Sequence, residues 1–232
     1  MIHRHNCAAN RQWHGYRAGL QTSRPQGQHQ LRVLFHFELI LEWAEFRMAA
    51  IDEMYVESAA YHESAHVVVA VAQKIPLRSG GVHIDPRGCG IAYYWYRQPD
   101  GSTNIGSEVE REKTIISSYA GLIAQQKFYP NCRPAGAWCD TDQAIKLLEE
   151  MHANRDDFFA AQERLGAESR RLVEKHWDEI TFLAKALWAK EWPPKPPREK
   201  QKPWSPHSLE KRIDGQEIIT LVAKFDLNGV IM

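Results

Sequence analysis

The sequence has no surplus of charge, with 29 Lys and Arg against 29 Asp and Glu. Such a balance leaves no long-range field to draw the chain to nucleic acid or to an anionic membrane surface, and neither is expected as a partner. Long apolar runs are missing too. The longest clean one, Val67 to Ala72, falls far short of the ~20 residues a membrane-spanning helix needs. In the richer stretch from Leu31 to Phe46, Arg32, His36, Glu38, Glu42 and Glu45 interrupt the apolar residues and favour an amphipathic helix over a span. No transmembrane segment is expected. Only four cysteines occur, Cys7, Cys89, Cys132 and Cys139, and none form a C-x-x-C pair. With no secretory signal they read mostly as free thiols of a cytoplasmic protein, and the Cys132 and Cys139 spacing matches no standard zinc module. There is no G-x-x-x-x-G-K-[ST] phosphate loop and no internal repeat, which excludes P-loop nucleotide hydrolysis and a solenoid.

What is present is an ordinary globular composition, 44% hydrophobic over 232 residues, enough for one large domain or two small ones. Residues 1–50 read as an extension, polar and disordered over the first thirty, with the amphipathic helix at 31–46. The domain proper is expected over 51–221, with 222–232 as a tail. Its first helix is predicted to start near Glu57 or Ser58, a plausible N-cap, and to end before Pro76. Two β-rich segments between Val82 and Tyr96, parted by Pro86, Gly88 and Gly90, predict a small sheet or hairpin. Apolar spacing then predicts helices from Ser107 to about Pro130, from Thr141 onward, and a longer one carrying Leu172, Val173, Trp177, Ile180, Leu183 and Leu187 to about Lys190. Six prolines between 193 and 206 predict a stiff strap. The fold class expected is mainly α, with a small β-sheet or hairpin after the first helix.

That first helix contains His62-Glu63-Ser64-Ala65-His66, an H-E-x-x-H pentad. On a helix His62 and His66 lie one above the other on a single face and can grip one zinc ion. Glu63, turned about 100° from His62, stands beside the metal rather than on it, where a general base for hydrolysis belongs. The alternative is that both histidines are ordinary helix residues and Glu63 a solvated carboxylate. A catalytic zinc needs three protein ligands and one open position. No third histidine follows in Val67 to Ala72, and spacing alone picks out no acidic residue further on.

The chain resembles the peptidase domain of FtsH-type zinc proteases over roughly residues 53–221. Ala60 to Ala70 is similar to that family's pentad helix, Val82 to Gly90 to the strand and turn after it, and Tyr119 to Ala124 to its Gly- and Ala-rich helix. Gly136-Ala137-Trp138-Cys139-Asp140 resembles the Gly-Ala-x-x-Asp segment whose aspartate is a zinc ligand, and Ile213 to Ile218 the closing segment. The resemblance implies a metallopeptidase fold and a Zn2+ centre of His62, His66 and Asp140, with Glu63 as the catalytic base. Asp140 as a mere helix N-cap and Asp142 as a rival ligand stay open. The implied activity is zinc-dependent hydrolysis of peptide bonds in unfolded or flexible polypeptides. A family AAA+ ATPase module is not recognisable here, so a separate ATPase or a homo-oligomer is the partner to expect. Gln125 and Gln126 stand where the family usually has carboxylates near the zinc. The other reading is a zinc-stabilised interaction module in which catalysis has lapsed.

Overall fold

Helix α1 (residues 53–72) is buried at every position from Ser58 to Val71. Its successive valines cost a few tenths of a kcal/mol each in helix propensity, and burying each returns roughly 1.5–3 kcal/mol, so packing decides the conformation. The helix begins before the expected start. Ser58 is no N-cap but an interior residue whose hydroxyl donates back to the Tyr55 carbonyl at 2.6 Å. The computed structural model describes residues 53–94, 107–132, 138–194, 210–225 and 227, and those from Tyr55 on belong to one compact unit. The amphipathic helix at 31–46 and most of the Pro-rich strap lie outside the described residues.

Ahead of Pro76, α1 ends in a Schellman motif: Ile75 N–H reaches the Ala70 carbonyl and Lys74 N–H the Val71 carbonyl, each at 2.9 Å. The motif forces the residue at C′ into the left-handed region, and here that residue is Lys74 at φ 65°, with an exposed side chain. A non-glycine residue there costs about 1 kcal/mol. Lys74→Gly is therefore expected to stabilise the fold by that amount, read as a shift in the denaturant midpoint. An unchanged or lower midpoint would mean that the lysine contributes something the motif does not reveal.

Three antiparallel strands, β1 (Leu77–Ile84), β2 (Gly90–Tyr94) and β3 (Lys211–Ile213), form a sheet in the order β2-β1-β3. Ile84 pairs with Gly90 on one side and Lys211 on the other. The β1 register shifts between Leu77 and Val82, where Gly81 sits at φ 65° and a Cβ would stand 2.0 Å from the Ile213 carbonyl oxygen. The turn into β2 is held by the Asp85 carboxylate, which accepts from the Arg87 and Cys89 amides at 2.9 and 3.0 Å.

Helix α2 (Glu108–Phe128) starts with a capping box between Ser107 and Glu110. Then come α3 (Trp138–Met151), α4 (Arg155–Lys175), α5 (Trp177–Ala189), α6 (Gly215–Val222) and a 3-10 turn, Ala223–Phe225. The single long helix expected up to Lys190 is two, broken at His176 (φ −110°, ψ 28°). The buried stripe of Leu172, Val173, Ile180 and Leu183 continues across the break, which is why periodicity does not betray it. No described helix is long and apolar enough to cross a membrane.

Candidate metal centre

Being four apart on α1, His62 and His66 set their rings edge to face, with centroids 4.6 Å apart. Both are buried. The first turn of α3 brings Asp140 to them, its Oδ2 3.0 Å from His62 Nε2 and 3.3 Å from His66 Nε2. Among the described residues, these three form the one group of convergent ligand atoms, all within 4.8 Å of one another. Asp140 is the third helical residue, not an N-cap. The rival Asp142 is exposed and pairs with Lys146 at 2.6 Å, away from the histidines.

Each imidazole is turned by a bond at its other nitrogen. His66 Nδ1 meets the Ser117 carbonyl at 2.7 Å, and His62 Nδ1 meets Gln125 Oε1 at 3.2 Å. A carbonyl can only accept, so Nδ1 carries a proton, and Nε2 is left to face the Asp140 carboxylate with either a second proton or a metal between them. Lone pairs and a carboxylate gathered in a buried site repel unless a cation lies among them. Burial pulls His66 down, yet the Asp140 charge and hydrogen bond, with Glu63 and the Ser117 carbonyl, raise it to about 9. Burial pushes the Asp140 carboxyl up, but His66 and His62 more than offset this and hold it well below the usual carboxylate range. The site is built for positive charge.

A divalent metal fits that demand. Donors at zinc bond lengths in a tetrahedral arrangement lie about 3.3 Å apart, close to the 3.0 and 3.3 Å found here. The donor set, two imidazoles and a carboxylate, is one that zinc accepts. Room for it comes from α2, which crosses α1 at buried Gly121. A Cβ there would stand 2.5 Å from His66 Nε2 and 2.6 Å from His62 Nε2.

Glu63 lies on the next face of α1, buried beside the ligands. Burial pushes its carboxyl up, against the pull of His62 and His66, while Asp140 adds to the rise. The first residue of β2 covers it, and a Cβ on Gly90 would come within 2.4 Å of Glu63 Cγ. Gln125, expected near the site, is buried against His62, whereas Gln126 is exposed on α2. Among the described residues, Cys89, Cys132 and Cys139 form no disulfide with one another. Cys132 accepts from Gln125 Nε2 at 3.3 Å and is not among the convergent ligand atoms. Sequence reasoning missed the roles of Gly90, Gly121 and Ser58. No protein-family model matches the chain.

Proposed function

We propose that this chain is a zinc-dependent metalloendopeptidase of the FtsH type, acting on unfolded or flexible polypeptides. The observation that carries the reading is the convergence of His62 Nε2, His66 Nε2 and the Asp140 carboxylate beside a buried Glu63. His62, His66 and Asp140 would hold the zinc. Bound there, zinc supplies Lewis acidity for a peptide carbonyl and for water. The Glu63 carboxylate takes a proton from the attacking water, whose oxygen bonds the carbonyl carbon. As the C–N bond breaks, Glu63 passes that proton to the leaving amine. Burial suits it to the task, because it raises the carboxylate's proton affinity above that of an ordinary glutamate and so strengthens it as a base.

The test measures zinc content and casein cleavage together for the wild type and Asp140→Asn. The wild type is expected to hold one equivalent of zinc and to cleave in a chelator-sensitive manner, and Asp140→Asn to lose both. Zinc bound without cleavage would sink the peptidase and leave the interaction module. Zinc binding untouched by Asp140→Asn would remove Asp140 as a ligand.

A further inference from the structure

The two histidines reach the same tautomer by different means. His66 Nδ1 is held by a backbone carbonyl, that of Ser117, which no side-chain substitution removes. His62 Nδ1 is held by a side-chain amide, Gln125, and an amide can present either its oxygen or its nitrogen. Only the oxygen keeps a proton on His62 Nδ1 and so reserves Nε2, the nitrogen facing Asp140, for a metal.

The groups behind Gln125 determine which end faces forward. Gln125 is buried on α2 and its Nε2 donates to Ser58 Oγ at 3.1 Å and to Cys132 Sγ at 3.3 Å. The Ser58 hydroxyl has already committed its only hydrogen to the Tyr55 carbonyl at 2.6 Å. Ser58 Oγ therefore has lone pairs alone to offer and must meet the NH2 end of the amide. That turns Oε1 towards His62. Both amide hydrogens then have acceptors, and reversing the amide would set Oε1 against the Ser58 lone pairs in a buried place, a mismatch that costs the desolvation of each group left unpaired.

We infer that Tyr55 carbonyl, Ser58, Gln125 and His62 form a polarised hydrogen-bond relay in which Gln125 is a positioning residue that sets the His62 tautomer for metal binding. The inference rests on the metal reading above. Cys132 supports the relay as the second acceptor for the Gln125 NH2 group. The direction of the chain is set in the N-terminal part of the same helix that carries both histidines, so one element supplies two ligands and the reference that orients one of them.

The test compares the full chain with Gln125→Leu and Gln125→Glu, using zinc titration against a competing chelator and imidazole 15N spectra with and without zinc. A carboxylate still accepts from His62 Nδ1, while leucine accepts nothing. In Gln125→Glu the second oxygen takes the Ser58 hydroxyl hydrogen in place of the Tyr55 carbonyl while the first still accepts from His62, so zinc binding and the His62 Nδ1 proton are expected to be kept. Gln125→Leu is expected to weaken zinc binding about 10- to 100-fold and to lose that proton signal, with the His66 signal unmoved as internal control. A space-filling glutamine predicts the opposite order, since leucine is the easier side chain to bury. Zinc binding at least as tight in Gln125→Leu as in Gln125→Glu would overturn the relay, as would a wild type whose His62 Nδ1 carries no proton. Should the wild type take up no zinc, the metal reading falls, and the zinc-free spectra still decide the relay.

Discussion

Gly121→Ala is expected to abolish zinc binding while leaving the fold in place. The added methyl would stand 2.5 Å from His66 Nε2 and 2.6 Å from His62 Nε2, whereas ordinary contact needs roughly 3.5 Å. One or both imidazoles must move by about 1 Å, and a metal site tolerates displacements of only about 0.2 Å in its donors. The fold has more latitude. Alanine gains about 1 kcal/mol of helix propensity over glycine, which offsets much of the 1–3 kcal/mol that overpacking costs. Calorimetric zinc titration beside thermal melts with and without zinc separates the two effects. The expected result is a near-native melt that zinc no longer raises. A variant that binds zinc like the wild type would show that the metal does not use the space above Gly121.

How much of this centre was legible in the chain follows from how local each part is. His62, Glu63 and His66 are neighbours on one helix, and the 3.6-residue repeat alone places them. Asp140 arrives by the packing of α3, and no spacing rule connects it to the pentad; the resemblance of Gly136 to Asp140 to a known segment supplied what the period could not. The structure puts that carboxylate 3.0 Å from His62 Nε2, in one group with both histidines that could hold a metal ion.

Other features were unreadable for physical reasons. Gly90 and Gly121 matter because of what lies opposite them, and a glycine carries no mark of its neighbour. Strand β3 has three residues, too few to display an alternation, and it joins the sheet from far along the chain. The break at His176 leaves the apolar stripe in phase on both sides, so the pattern reads as one helix. Ser58 has the residue type of an N-cap, but the chain already turns helical five residues earlier, and its hydroxyl serves the relay to Gln125 instead. Gln125 and Gln126 look alike in sequence, and the 100° between adjacent helical positions makes one buried and the other exposed.

Glu63→Gln is expected to lower kcat for casein cleavage about 10²- to 10⁴-fold, the usual worth of a positioned general base, with zinc content unchanged. The amide fills the same volume and touches no ligand bond, so chemistry alone should suffer. Gly90→Ala reaches the same carboxylate from the other side. Its methyl would stand 2.4 Å from Glu63 Cγ and 2.7 Å from Oε1, forcing the side chain off its present position. A displacement of about 1 Å at a reacting group costs on the order of 10²-fold, so Gly90→Ala should retain zinc and lose most activity. The double variant supplies the decisive comparison. If Gly90 acts only by placing Glu63, adding Gly90→Ala to Glu63→Gln should cost almost nothing further, a large departure from additivity. Additive losses would separate β2 from the base, and full activity in Glu63→Gln would remove Glu63 from the chemistry altogether.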